Sequence, residues 1–307
     1  MHDVVVYFSS LPKIADRNRK IQVLQAFADG VRTSGASVMI QKEYAVVDCK
    51  LAVILGWVGK SIRGAHIQLR QNVINHQRRN GHRVMPVDGS CFKFADQENM
   101  FLRYSLDGVF YNTNNYANTN SDSTKWQKIQ NKLGLDLQPW RNRGDHVLVC
   151  LQRDGGWSMK GVDMVEWTHR TVNCIRGFTT RPILIRPHPK HKINLSGLIN
   201  LPRVSQSNQS STLQQDLKHA WAAVFYNSSA SVAAVLAGVP VFVDDTDCVA
   251  WKVANHELCK IETPIMLDRT QWLYDLSAAH WTDADSRAGA IYQHFSKLIK
   301  QSPGSTV

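Results

Sequence analysis

Residues 221–245, WAAVFYNSSASVAAVLAGVPVFVDD, read as strand, polar turn, short helix, glycine stop and second strand. Ala222 to Tyr226 is a continuous apolar run, the pattern of a strand buried on both faces of a parallel sheet. Asn227, Ser228 and Ser229 follow where a helix would begin, and their short polar side chains suit its first N–H groups. The small residues Ala230, Ser231, Ala233, Ala234 and Ala237 let that helix pack closely; Gly238 ends it and Pro240 prevents its resumption. A helix start flanked by hydroxyls at the carboxyl end of a parallel strand offers free N–H groups to an anion, which makes a phosphate site. The same residues would also serve a plain strand-helix-strand unit in which the serines do no more than cap.

A second stretch favours the phosphate site. Residues 183–190, ILIRPHPK, form another buried strand that runs directly into Arg186, His188 and Lys190, with Pro187 and Pro189 stiffening the exit. Open α/β sheets bind ligands at such strand ends, and cationic side chains there suit phosphate oxygens. The two strand ends together suggest one nucleotide diphosphate held by Asn227, Ser228 and Ser229 on one side and by Arg186, His188 and Lys190 on the other.

RPHP followed by YNSSASVAAVLAGVPVF resembles the donor half of GT-B glycosyltransferases. CLQRDGGWSMKG at 150–161, VANHELCKIE at 253–262 and DRTQWLYDLSAAHW at 268–281 extend the likeness to glycosyltransferases of tailed bacteriophages that decorate modified bases in viral DNA. The similarity covers about residues 146–295, and the first 140 residues match only in outline. It implies an α/β protein of GT-B type, two Rossmann-like domains with parallel sheets facing across a cleft. It also implies a nucleotide-sugar donor, a UDP-sugar first among them, held without a required metal.

A chain of 307 residues accommodates two domains with a core each. No run of eighteen apolar residues exists and MHDVVVYF is too short for a signal peptide, so no membrane partner is expected. With the phage resemblance, the expected location is the cytoplasm of the infected bacterial host. The six cysteines lie far apart and never form a Cys-x-x-Cys pair, which indicates reduced thiols rather than a zinc site or disulfide framework. The net charge of +11 is uneven: residues 1–145 carry 20 Lys and Arg against 12 Asp and Glu, an excess of eight, and the remainder an excess of three. A basic first half beside a nucleotide-binding second half suggests a polyanionic acceptor.

Strands at 4–8, 38–40, 51–55 and 84–87 alternate with helical spacing at 21–31 and 67–74, giving the first half its own parallel sheet. GWVGKS at 56–61 is not a P-loop, because that motif needs glycine where Ile54 stands inside a strand. The segment instead begins a basic ridge of Lys60, Arg63, Arg70, Arg78 and Arg79, either a solvated face or a grip on a phosphate backbone. Residues 104–126 are rich in Asn, Ser, Thr and Tyr and lack apolar periodicity, which reads as a functional loop. Within it Tyr111, Tyr116 and Trp126 suit stacking on a base or sugar, or packing against the domain.

PWRNRG at 139–144 is the best boundary, giving an acceptor-binding domain at 1–143 and a nucleotide-sugar-binding domain at 144–307 whose C-terminal helix, read over 284–300, crosses back. After the strand at 147–151, Arg153, Gly155, Gly156 and Ser158 can approach a diphosphate closely. The polar connector SQSNQSSTLQQ at 205–215 reads as surface loop. Asp244, Asp245 and Asp247 contain an Asp-x-Asp triplet, read as a polar strand exit and not as a metal site. The catalytic base for an inverting transfer is expected at Asp88, which ends the fourth strand in MPVDGS, with Asp107 in LDGVF as second choice; either could cap a turn instead.

These expectations converge on a glycosyltransferase that moves a sugar from a nucleotide donor to a hydroxyl on a modified pyrimidine, such as 5-hydroxymethylcytosine, in phage DNA. The alternatives are a transferase acting on a bacterial surface or capsule polysaccharide, and a non-catalytic DNA-binding protein of the same fold.

Overall fold

The computed structural model describes residues 1–11, 17–58, 64–92, 101–111, 116–153, 156–189 and 193–301. The chain divides into two compact units, Met1–Leu133 with Leu273–Val307, and Gly134–Trp272.

The first unit is built on β1 (His2–Tyr7), α1 (Arg17–Thr33), β2 (Val38–Gln41), β3 (Cys49–Leu55), α2 (Ala65–Arg79), β4 (Arg83–Asp88), β5 (Leu102–Tyr104) and α3 (Thr124–Leu133). Four parallel strands form its centre, in the order β4-β3-β1-β2. Successive side chains of a strand point to opposite faces. Val4 and Val6 accordingly pack with Phe27 and Val31 of α1, whereas Val5 and Tyr7 pack with Leu69, Val73 and Ile74 of α2. This two-sided burial explains the unbroken apolar run of β1. β5 lies antiparallel on β4, pairing Arg103 with Asp88.

In the second unit β6 (His146–Cys150), α4 (Met164–Arg176), β7 (Ile183–Arg186), α5 (Ser196–Ile199), β8 (Val204–Gln206), α6 (Leu213–Leu217), β9 (Ala220–Phe225), α7 (Ser231–Leu236) and β10 (Val241–Val243) make a wholly parallel sheet of order β10-β9-β6-β7-β8. All six residues of β9 are buried, as its apolar run requires. Asp163 caps α4 by accepting the N–H groups of Val165 (2.8 Å) and Glu166 (2.9 Å). Gly238 stands at φ +72°, and a Cβ there would meet the Pro139 carbonyl oxygen at 2.0 Å, so glycine is required for two reasons.

Helix α8 (Thr270–Ala278) spans the boundary, and β11 (His280–Trp281), α9 (Asp283–Arg287) and α10 (Ala290–Ile299) complete the first unit. β11 pairs antiparallel with β5 as the sheet's edge. Ile291, Phe295 and Ile299 of α10 join the α1 side of the core.

Three local expectations are corrected. The last helix is two, α9 and α10, because Gly289 adopts φ +78° and lies against Gly30 of α1. The connector at 205–215 contains the exposed end of edge strand β8 and the start of α6, whose capping box joins Thr212 and Gln215. The stretch at 104–126 supplies core: Leu106, Val109, Tyr116 and Trp126 are all buried.

Candidate functional site

In the second unit the chain runs outward from β6 through β7 to β8, then returns to place β9 and β10 on the other side of β6. The gap between β6 and β9 is therefore the point where strand order reverses, the place where open α/β sheets form a ligand crevice beyond the carboxyl ends of their strands. Two loops meet there, residues 151–153 and 156–160 after β6 and residues 226–230 after β9.

A pair of amides fastens them together. Gln152 Nε2 donates to Asn227 Oδ1 (2.8 Å), and the Asn227 main-chain N–H donates to Gln152 Oε1 (2.8 Å). Asn227 Nδ2 then reaches the Ser158 carbonyl oxygen (2.8 Å). Both amides are buried, so each satisfies the other in a place water does not reach. With Gln152 and Asn227 spent on each other, Ser158 and Ser228 stay half-exposed and Ser229 exposed at the crevice.

Helix α7 starts at Ser231, later than the serines suggested. Ser228 Oγ accepts the Ala230 N–H (3.2 Å) and its carbonyl accepts the Ser231 hydroxyl (2.7 Å), so Ser228 shapes a turn before the helix instead of capping it. Arg153 is exposed, and among the described residues its guanidinium forms no ion pair. Gly156 closes a turn onto the Arg153 carbonyl, where a Cβ would approach to 3.2 Å. Gly155 and Lys190 lie outside the described residues.

Arg186 ends β7, where its guanidinium is ion-paired with buried Asp216 and donates to the Ser211 carbonyl (2.9 Å). The Ser207 hydroxyl donates to the same carboxylate (2.6 Å). Arg186 thus braces the exit of β7, and His188, half-buried, is the side chain that this exit carries forward.

The acidic triplet has partners of its own. Lys160, at φ 53°, bonds Asp245 (2.9 Å) and pairs with Asp247, and Asp244 accepts from Trp167 Nε1 (2.8 Å) and Arg170 (2.9 Å). Burial opposes the charge on Asp245, yet hydrogen bonds from Lys160 and Tyr226 hold its carboxyl below the usual range. Among the described residues no group of three or more His, Cys, Asp and Glu is placed to hold a metal ion. Beside this exit lies a pocket of about 260 Å³ between α4 and β10, floored by Val224 and Phe242 and edged by Arg170, Asp244 and His256.

In the first unit Asp88 stands at the carboxyl end of β4, half-buried, with one oxygen on Arg103 (2.6 Å). Arg103 also donates to the Gly89 carbonyl (2.9 Å), which fixes the turn that follows. That turn is held from a second side, because the Cys91 N–H donates to Nε2 of buried His280 (3.0 Å). Asp107 is engaged differently: it pairs with Arg83 (2.6 Å) and accepts the Val84 N–H (3.0 Å) at φ 66°. Its carboxylate secures a turn against β4.

The residues expected to meet an acceptor separate into three sets. Arg78 and Arg79 are exposed at the end of α2 and Tyr111 is half-exposed. Lys60 and Arg63 lie outside the described residues. Arg70, Tyr116 and Trp126 are a correction, since all three face inward. Arg70 donates to the Ser10 carbonyl twice (2.9 and 2.7 Å) and to Trp57 (3.3 Å), and burial pulls its pKa down to about 10. Tyr116 gives its hydroxyl to the Val109 carbonyl (2.9 Å), and Trp126 packs on Phe92 at 6.0 Å. Gln152, Lys160, Arg103 and His280, which knit these sites, were not singled out by sequence.

No family model matches the chain, and no curated protein does. Solved structures do resemble it. The beta Kdo 2,4 transferase of Thermosulfurimonas dismutans KpsC matches with TM-score 0.55 at 14% identity, over 91% of this chain and 90% of that one. The beta Kdo 2,7 transferase of the same KpsC matches with TM-score 0.54 at 13% identity, over 97% and 100%. At such identities the likeness establishes architecture, and the fold is GT-B: α/β units built on parallel sheets.

Proposed function

We propose that the chain is a glycosyltransferase that takes a sugar from a nucleotide donor, with a UDP-sugar as the first candidate, and moves it to an acceptor hydroxyl. The observation that carries this is the crevice at the β6/β9 reversal, where the Gln152–Asn227 pair presents Ser158, Ser228 and Ser229 beside exposed Arg153. Hydroxyls, main-chain N–H groups and one exposed guanidinium fit a diphosphate, and His188 arrives from the neighbouring strand. The pocket edged by Arg170, Asp244 and His256 would take the donor's base, its apolar floor covering the ring. Asp88 is the proposed base, withdrawing the proton of the acceptor hydroxyl as the anomeric carbon is attacked.

The proposed acceptor is a hydroxymethylated pyrimidine of DNA. The charge excess of the first half and exposed Arg78 and Arg79 support it. Chemistry on a base within a duplex requires extruding that base, and Tyr111 would line the space it enters. A carbohydrate acceptor, as on a surface polysaccharide, is the second reading, favoured by the match to transferases named for Kdo.

One trial separates them. The protein is incubated with a panel of nucleotide sugars and either hydroxymethylated DNA or an oligosaccharide acceptor, and product masses are read. A hexose-sized gain on the nucleoside supports DNA; a gain only on the glycan supports the second reading; none with any donor overturns transferase activity. Asp88→Asn should lower turnover about 10²–10⁴-fold with donor affinity unchanged. Turnover equal to wild type removes Asp88 from the chemistry.

A further inference from the structure

The parallel sheet of the second unit has another end. Residues that lead into β6, β7, β8 and β9 gather at the amino edge of the sheet, opposite the donor crevice. Two shallow basins lie there. One of about 350 Å³ is bordered by Arg141, Arg143, Lys218 and His219, and one of about 730 Å³ by Arg176, Phe178, Arg181 and Arg203. Arg181 joins them, since it borders the larger basin and donates to the Gly144 carbonyl of the smaller.

Apart from Arg181, which pairs with Glu262, these cations are positioned without being neutralised among the described residues. Arg141 donates to the Lys218 carbonyl (2.9 Å), Arg176 to the carbonyls of Arg181 (2.7 Å) and Arg203 (2.8 Å), and Arg203 to that of Thr180 (2.9 Å). A carbonyl orients a guanidinium but leaves its charge whole. The carboxylates of the edge are Glu262, on Arg181 (3.1 Å), and exposed Asp145, near His219 (3.8 Å). Six cations against two carboxylates leave this edge at +4. The whole of residues 134–272 holds fifteen Lys and Arg against twelve Asp and Glu, or +3, so the rest of the unit is slightly acidic. The positive charge is therefore gathered on one edge. Burial and the neighbouring Arg203 both press the Arg176 pKa downward, as crowding of like charge requires.

We propose that this amino edge of the second unit's sheet is a docking surface for the phosphate backbone of duplex nucleic acid. The basins are open and adjoin at Arg181, which suits a continuous polymer better than an enclosed small ligand. Duplex DNA carries about one charge per 1.7 Å of its axis, a density from which closely spaced, unneutralised cations gain most through release of counterions. Guanidinium forks also match phosphate oxygens in pairs. Exposed Phe178, between Arg176 and Arg181 in sequence, adds a ring able to pack against sugar or a frayed base.

The test is an equilibrium measurement with no donor and no turnover, so it is decided separately from glycosyl transfer. A fluorescent random-sequence duplex is titrated with the full chain at salt from about 50 to 200 mM. Arg143 and Lys218 are exposed and their side chains hold no element together. Arg143→Glu with Lys218→Glu should weaken binding at low salt about tenfold or more, and flatten the slope of log K against log salt by about 1.8, at 0.9 per lost phosphate contact. Lys252→Glu, an exposed change away from this edge, and Arg143→Lys should leave the slope as in wild type. An unaltered slope in the double variant with unaltered melting, or a wild-type chain that does not bind the duplex, overturns the proposal. So does a double variant that loses an anionic oligosaccharide while keeping the duplex.

Discussion

Gln152 spends both ends of its amide on Asn227, and the loops after β6 and β9 are fastened to each other for that reason. Gln152→Ala leaves the buried Asn227 N–H without an acceptor, which should cost about 1–3 kcal/mol of stability. Gln152→Glu still accepts that N–H but cannot donate to Asn227 Oδ1, so it should fall between wild type and alanine. Urea denaturation gives the stability, and a donor titration should rank the three proteins in the same order. Stabilities equal within about 0.5 kcal/mol would mean the pair is incidental. No pattern in QRDGGW separates such a glutamine from any polar loop residue, since its role depends on a residue 75 positions on. Arg70 was legible in principle. It lies among Leu69, Val73, Ile74 and Gln77, the stripe that α2 turns inward, and that apolar spacing outweighs a match of charges at i+3 and i+7. Trp126, Ile129 and Leu133 form the same kind of stripe on α3.

Helices α1 and α9 approach so closely that no side chain fits between them at Gly30. A Cβ there would sit 1.9 Å from the Ser286 carbonyl oxygen and 2.9 Å from the Gly289 nitrogen. Gly30→Ala should therefore destabilise the first unit by about 1–3 kcal/mol or more, because the obstacle is main chain and cannot rotate aside. A thermal melt lowered by several degrees is the expected outcome, and an unchanged one would show that the helices can separate freely. The central parallel strands of both sheets were readable because strands covered on both faces leave unbroken apolar runs, whereas the short edge strands β5, β8 and β11 leave none and were not read. The break between α9 and α10 was not, since Ala288, Ile291, Phe295 and Leu298 keep nearly helical spacing across Gly289 and only the contact with Gly30 explains the turn.

At the scale of the whole molecule, the segment after residue 273 ties into the first unit through His280. Its Nδ1 donates to the Leu276 carbonyl (2.7 Å) and its Nε2 accepts from Cys91, while burial and nearby Arg103 push its pKa from 6.5 down to about 3. Above pH 6.5 the ring is neutral in folded and unfolded chains alike. Below it the unfolded chain takes up a proton that the folded one refuses, so stability falls with pH until the ring titrates near 3. Between pH 6.5 and 5 this amounts to about 2 kcal/mol at 1.36 kcal/mol per unit. His280→Gln, whose amide can still accept the Cys91 N–H, should lose that part of the acid sensitivity in denaturation curves at pH 7 and 5. An identical slope in both proteins would assign it elsewhere.

The strand that carries His280 forms the edge of a sheet whose other five strands end by residue 104. On a ribosome the order of completion is thus the reverse of the order of synthesis. Residues 134–272 are contiguous and can close as soon as they emerge, whereas the first 133 residues, though made earlier, wait with one edge open and the Gly30 face of α1 uncovered until the last segment arrives. Nascent chains of this protein carry an unfinished, strand-pairing edge from the completion of residue 104 until residue 281 is made, and that interval is when a chaperone has most to protect.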